Sequence, residues 1–133
     1  MNTFTLSLQD AFRSERIDDV RSFVGEDASG SFGILANHGR MMTILLVGLA
    51  RFHVDKADWQ YLALPGAVLY FCDNMLTLST RRYLRDNDYT RISALLREQL
   101  LAEEEQLQAT RQSLRHLEES LLKRLWELKH RGG

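Results

Sequence analysis

The sequence predicts a mainly β N-terminal domain, an antiparallel sandwich over residues 1–87, followed by an α-helical C-terminal domain over residues 88–133. Two observations divide the chain. Up to about residue 80, apolar segments of about six residues alternate with turn-forming residues every eight to ten positions, the rhythm of an antiparallel sandwich or barrel. After Asp88 no Gly or Pro occurs until Gly132, and Leu, Glu, Gln, Arg and Ala, all strong helix formers, dominate.

Each element has its own signal. Phe4, Leu6 and Leu8 alternate with Thr5 and Ser7, the period of a strand with one buried face. The charged stretch Arg13 to Asp19 reads as a turn or an edge, Val20 and Phe23 restart the apolar rhythm, and GEDASG over 25–30 reads as a loop. Phe32, Ile34 and Leu35 form a short strand that runs into a polar, Gly-flanked loop, Asn37-His38-Gly39-Arg40. Thr43–Val47 and Leu49–Val54 are apolar runs with a bend or bulge expected at Gly48. Asp55 to Asp58, Pro65-Gly66 and Asp73-Asn74 then separate Leu49–Val54, Trp59–Leu64, Ala67–Cys72 and Met75–Thr80 as hairpins.

Asp88 fits a helix N-cap. Leu100, Leu107, Leu114, Leu121 and Leu128 recur every seventh residue on one stripe, widened by Leu96, Leu117 and Leu125 and narrowed in the middle by Glu103, Glu104, Thr110 and Arg111. The gap admits one long helix or a helical hairpin turning near Glu103 to Thr110, and the hairpin, which pairs leucines with leucines, is favoured. Basic residues at the end (Lys123, Arg124, Lys129, His130, Arg131) suit a helix C-terminus or meet acidic surfaces of a partner.

Composition narrows the function classes. The chain has 133 residues, 44% hydrophobic and 26% charged, with a net charge of −1, which offers no general attraction for nucleic acid or an anionic membrane. Its N-terminus alternates instead of forming an apolar leader, and no apolar run approaches the roughly 20 residues that span a bilayer, so a soluble cytoplasmic chain is expected. The single cysteine, Cys72, excludes an internal disulfide, and its apolar strand marks it as an inert core residue. His38, His53, His116 and His130 show no metal-ligand spacing, Asp18 and Asp19 would face opposite ways, and Gly30-Ser31-Phe32-Gly33 lacks the lysine and helix start of a phosphate loop. No catalytic, metal or cofactor-binding residue is expected. Trp59 and Tyr61 read as core, with a sheet-face interface or small-ligand site as the alternative.

Gly30 to His38 (GSFGILANH), Met41-Met42-Thr43, Gly48 to Phe52, Tyr61 to Gly66 and Asn74 to Ser79 together resemble the ε subunit of rotary F-type ATP synthases over essentially the whole chain. The resemblance implies a ten-stranded sandwich and two C-terminal helices in a non-catalytic central-stalk subunit. Its partners would be the γ subunit, the c ring and the α/β catalytic hexamer, at the cytoplasmic side of the inner membrane. Ser31, Phe32, His38, Arg40, Met41 and Met42 match the partner-binding stretch. The helices would fold against the sandwich or extend and impede ATP hydrolysis. Ala36, Arg40 and Val47 stand where prolines are common, which implies a less rigid loop with an added charge. The segment Thr90-Arg91-Ile92-Ser93-Ala94 lacks the acid and aligned arginine with which some relatives bind ATP, so nucleotide binding does not carry over. A self-associating adaptor with a coiled-coil tail is the alternative reading.

Overall fold

The structure, a computed structural model, describes residues 2–131. Among the described residues nine strands are formed: β1 (Phe4–Gln9), β2 (Ser14–Asp27), β3 (Gly30–Leu35), β4 (Met41–Leu45), β5 (Gly48–Val54), β6 (Trp59–Leu64), β7 (Ala67–Cys72), β8 (Met75–Ser79) and β9 (Leu84–Asp86). They pack as a β-sandwich whose two layers share one strand. The first half of β2 pairs with β1, and its second half lies between β3 and β5. One layer runs β4-β7-β8-β1-β2, and the other β3-β2-β5-β6-β9. The passage between layers falls where the β2 register shifts on both sides of Val20, beside Asp19 with φ of 59°. That is the local twist a bulge supplies.

The predicted hairpins form. Of the turn or edge expected over Arg13 to Asp19, the edge is what forms: Ser14–Asp19 is the outer half of β2, and its charges and the adjacent Arg13 have partners on neighbouring segments. Arg13 donates to the Tyr83 carbonyl (3.1 Å) and stacks over the Tyr83 ring, and Glu15 pairs with Arg85 of β9 (3.1 Å). The expected 25–30 loop is only a tight turn at Ala28-Ser29, since β2 and β3 pair down to Asp27 opposite Gly30. The sheet is also not wholly antiparallel, for β1 runs parallel to β8 from Thr5–Met75 to Gln9–Ser79.

Phe23, Phe52, Phe71, Leu6, Leu8, Leu62, Leu69, Leu76 and Leu78 fill the space between the layers. At about 25 cal/mol per Å² of apolar surface removed from water, this core is the main stabilising term.

From Tyr89 the chain is helical to Arg131: α1 (Tyr89–Leu95), a π-helical segment (Leu96–Leu101) and α2 (Ala102–Arg131). The long helix forms, and the favoured hairpin does not, since Glu103 to Thr110 offers strong helix formers and no turn residue. Asp88 is the N-cap, its carboxylate accepting from the Arg91 amide. Compact units cover residues 1–101 and 102–133, so the first takes in α1 and the π-helical segment as well as the strands. Ile92 and Leu100 are buried there with Ala63, and Leu49, Tyr61, Leu84 and Leu96 pack around them. Residues 92, 96 and 100 step by four, and on an α-helix each step overshoots a full turn by about 40°. The wider π turn takes up that drift and keeps the three on one face.

Candidate docking site around the His38 loop

The loop joining β3 to β4 carries two of the six predicted partner-binding residues, His38 and Arg40, with Met41 and Met42 opening β4 beyond it, and it is held by side chains in place of proline. The loop turns at Asn37 (φ 67°), with the His38 amide donating to the Leu35 carbonyl at 3.2 Å. Asn37 and Asn74 then clasp each other. The Asn37 amide donates to Asn74 Oδ1 (2.6 Å), and Asn74 Nδ2 donates to Asn37 Oδ1 (3.0 Å). Asn74 can reach because it closes the two-residue β7–β8 turn with Asp73, both at positive φ (52° and 57°), a backbone region Asn and Asp tolerate. Its carbonyl also accepts from Thr5 of β1.

His38 is exposed, its ring edge-on to the buried Phe71 ring at 5.9 Å and its Nδ1 hydrogen-bonded to the Gly39 carbonyl at 2.8 Å. Arg40 lies against Cys72, Tyr70 and Asp73, and the contact with Cys72 leads in raising its pKa. Tyr70 is also pushed up, first by hydrogen bonding to Cys72, with the Arg40 charge opposing. Cys72 is therefore a half-buried member of a polar corner and not a core residue, because it alternates with Phe71 and faces outward.

Met41 packs on the core, while Met42 is 69% exposed. On the outer face of β4 and β7, Met42 is joined by Ile44 (69% exposed) and its register partner Val68 (46%). Leu46 and Val47 extend this apolar surface past the end of β4. Its rim is fixed by Asp27, whose carboxylate accepts from Ser29 and from Thr43 Oγ1 (2.7 Å). The Ser29 side chain leads in holding that carboxyl below its usual range, followed by Thr43.

The other two predicted residues do not join this surface. Phe32 turns into the main core opposite Gly25, and Ser31 borders a separate cleft lined by Glu26, Arg51, Tyr61 and Tyr89. Trp59 and Tyr61 lie outside the main core: Arg51 and His53 flank Trp59, and Tyr61 meets Tyr89 of α1 edge-on at 5.5 Å. Sequence reasoning missed Ile44, Val68 and Asn74. After Thr43 the run to Val47 is apolar throughout, so its sequence does not mark the face that stays open. Among the described residues no cluster of His, Cys, Asp or Glu could hold a metal ion, and no helix is long and apolar enough to cross a membrane.

The fold is thus a β-sandwich with an open apolar sheet face beside a clasped polar corner. Residues 3–86 match the ATP synthase Delta/Epsilon chain beta-sandwich domain, and the chain belongs to that family. It is 32% identical over 83 residues to ATP synthase epsilon chain 2 of Cereibacter sphaeroides, covering 62% of this chain and 57% of that one. The chain thus spans little more than half the length of that curated relative. Its fold is also that of a chain in the Euglena gracilis mitochondrial ATP synthase OSCP/F1/c-ring structure, with a TM-score of 0.58, 16% identity, and coverage of 73% of this chain and 62% of that chain.

Proposed function

We propose that this chain is a non-catalytic ε subunit of the central stalk of an F-type ATP synthase, coupling ion flow through the c ring to rotation and ATP synthesis. The observation that carries the reading is the open apolar face of Met42, Ile44 and Val68 beside the His38–Arg40 corner, in a chain of this family. Three large apolar side chains in register on one sheet face suit a protein partner more than water. That face docks on γ, and the polar corner faces the loops of the c ring. The chain then sits peripherally on the cytoplasmic side of the inner membrane, with the α/β hexamer within reach of α2, whose basic end supplies a contact able to slow ATP hydrolysis.

Recovery of the tagged chain from its native membranes tests the assignment. Co-purification of γ with α and β is expected, and recovery of the chain alone overturns it. Met42→Glu with Ile44→Glu is expected to abolish γ binding while leaving the fold intact, because both side chains point outward. His38→Ala with Arg40→Ala is expected to weaken ring attachment more than stability. Ending the chain after Leu101 is expected to raise ATP hydrolysis by the complex, and an unchanged rate removes the inhibitory role.

A further inference from the structure

Five of the exposed leucines of α2, all but Leu122, are arranged about a centre. Leu114, Leu117, Leu121, Leu125 and Leu128 are spaced three, four, four and three residues apart, a pattern that reads the same in both directions from Leu121. On an α-helix Leu114 and Leu128 fall about 20° either side of Leu121, and Leu117 and Leu125 about 40°, so all five form one straight stripe. Their exposures run from 53% to 64%. The three charge pairs nearest the centre are also mirrored, with signs reversed. Three positions before Leu121 is Glu118 and three after is Arg124; two before is Glu119 and two after is Lys123; six before is Arg115 and six after is Glu127.

From this we infer that α2 is the dimerisation helix of the free chain, pairing with a second copy of itself in antiparallel register about Leu121. A two-fold axis at Leu121 sets that residue against its own copy, Leu114 level with Leu128, and Leu117 level with Leu125. It also sets Glu118 and Glu119 of each copy level with Arg124 and Lys123 of the other. A parallel pair would instead bring like charges alongside like, so the charge pattern selects the antiparallel form. The pattern fits a second copy better than an anionic bilayer, since Glu118, Glu119 and Glu127 are interspersed among the basic residues. Such a dimer holds the leucine stripe covered until another partner takes it, and it does not depend on the stalk assignment.

The test uses the full chain. Sedimentation equilibrium is expected to show a monomer–dimer equilibrium, and Leu121→Glu, which puts two carboxylates at the axis, is expected to raise its Kd by at least about 30-fold, as a central interface residue does. Glu118→Lys is expected to weaken the dimer, and adding Arg124→Glu to restore it, a rescue that loss of helix structure could not produce. In a Cys72→Ser background, mixing chains bearing Leu114→Cys and Leu128→Cys is expected to give the mixed disulfide. A chain that stays monomeric into the high micromolar range overturns the inference, as do 114–114 links in place of the mixed ones. Binding to phosphatidylglycerol vesicles by a chain that remains monomeric overturns it as well.

Discussion

The helical stretch contains two regions of similar composition and opposite circumstances. Residues 89–101 occupy little more than three turns, too short to be stable alone in water, yet Ile92 and Leu100 are fully buried against the outer face of β6. α2 has 30 residues and high helix propensity, and from Leu114 onward its leucines are exposed. The short region is held by tertiary packing, and the long one has the propensity to form a helix by itself, so length and leucine content say little about which leucines of a helix are buried. Strand β6 makes the difference. Leu62 and Leu64 point into the sandwich, while Tyr61 and Ala63 point outward under the helix, so both faces of this strand are occupied.

The largest effect that tests this contrast is truncation. A chain ending at Leu101 is expected to melt within a few degrees of the full chain. One ending at Asp88 uncovers Ala63, Tyr61, Leu49 and Leu84 and is expected to lose several degrees, on a scale where about 1 kcal/mol moves the Tm of a 60–100-residue domain by roughly 4–8 °C. Calorimetry distinguishes the two, and equal losses for both chains would mean that α2 is anchored too.

Single residues sharpen the same comparison. Leu100→Ala is expected to cost about 2–4 kcal/mol, the transfer of a fully buried leucine plus the cavity it leaves. Leu121→Ala, measured at concentrations where the chain is monomeric, is expected to cost no more than about 0.5 kcal/mol, because the side chain is 58% exposed. Urea unfolding followed by circular dichroism reads both.

These contrasts also show what could be read in advance. The hairpins from β5 to β8 are local, and their turn residues stand in the sequence; the same holds for the helix start at Asp88. The parallel pairing of β1 with β8 joins residues some 70 positions apart, and no local pattern carries it. The charged start of β2 left a turn and an edge both open because the partners of Arg13 and Glu15, Tyr83 and Arg85, come from the far end of the sandwich. Leu100 looked like a member of the sevenfold stripe, but the π-helical turn sets it in phase with Ile92 and Leu96. At the site, the motif pointed to the loop around His38. It could not show which face of an apolar strand stays open, nor that Asn74 would secure Asn37 across 37 positions.

The start of α1 offers a smaller test. The Asp88 carboxylate accepts from the Arg91 amide at 3.1 Å, and Asp88→Ala removes that partner from the first turn. The expected loss is about 1 kcal/mol. Native-state amide exchange should then speed up across 89–95 before any change appears in β7 or β8.

The last and smallest effect depends on pH. Asp86 ends β9, and its carboxylate accepts from Arg91 Nη2 (2.8 Å) and Nε and from the Asp88 amide (2.9 Å), joining the last strand to the first helical turn. The Arg91 hydrogen bonds lead in holding its pKa well below the usual carboxylate range, with the Asp88 amide next. A depressed folded-state pKa means that the unfolded chain takes up the proton first as pH falls. The contribution of Asp86 is therefore complete above the ordinary carboxylate range and is lost as pH drops below about 4 toward the folded-state value. Asp86→Asn is expected to lower stability modestly at neutral pH, because Arg91 is 61% exposed and its pairing is screened by water. The same variant is expected to flatten the fall of stability between about pH 4 and pH 2. Urea midpoints across that interval read the slope, and an unchanged slope in Asp86→Asn would assign the acid sensitivity to other carboxylates, with Asp27, the next depressed by side-chain hydrogen bonds, as the first to examine.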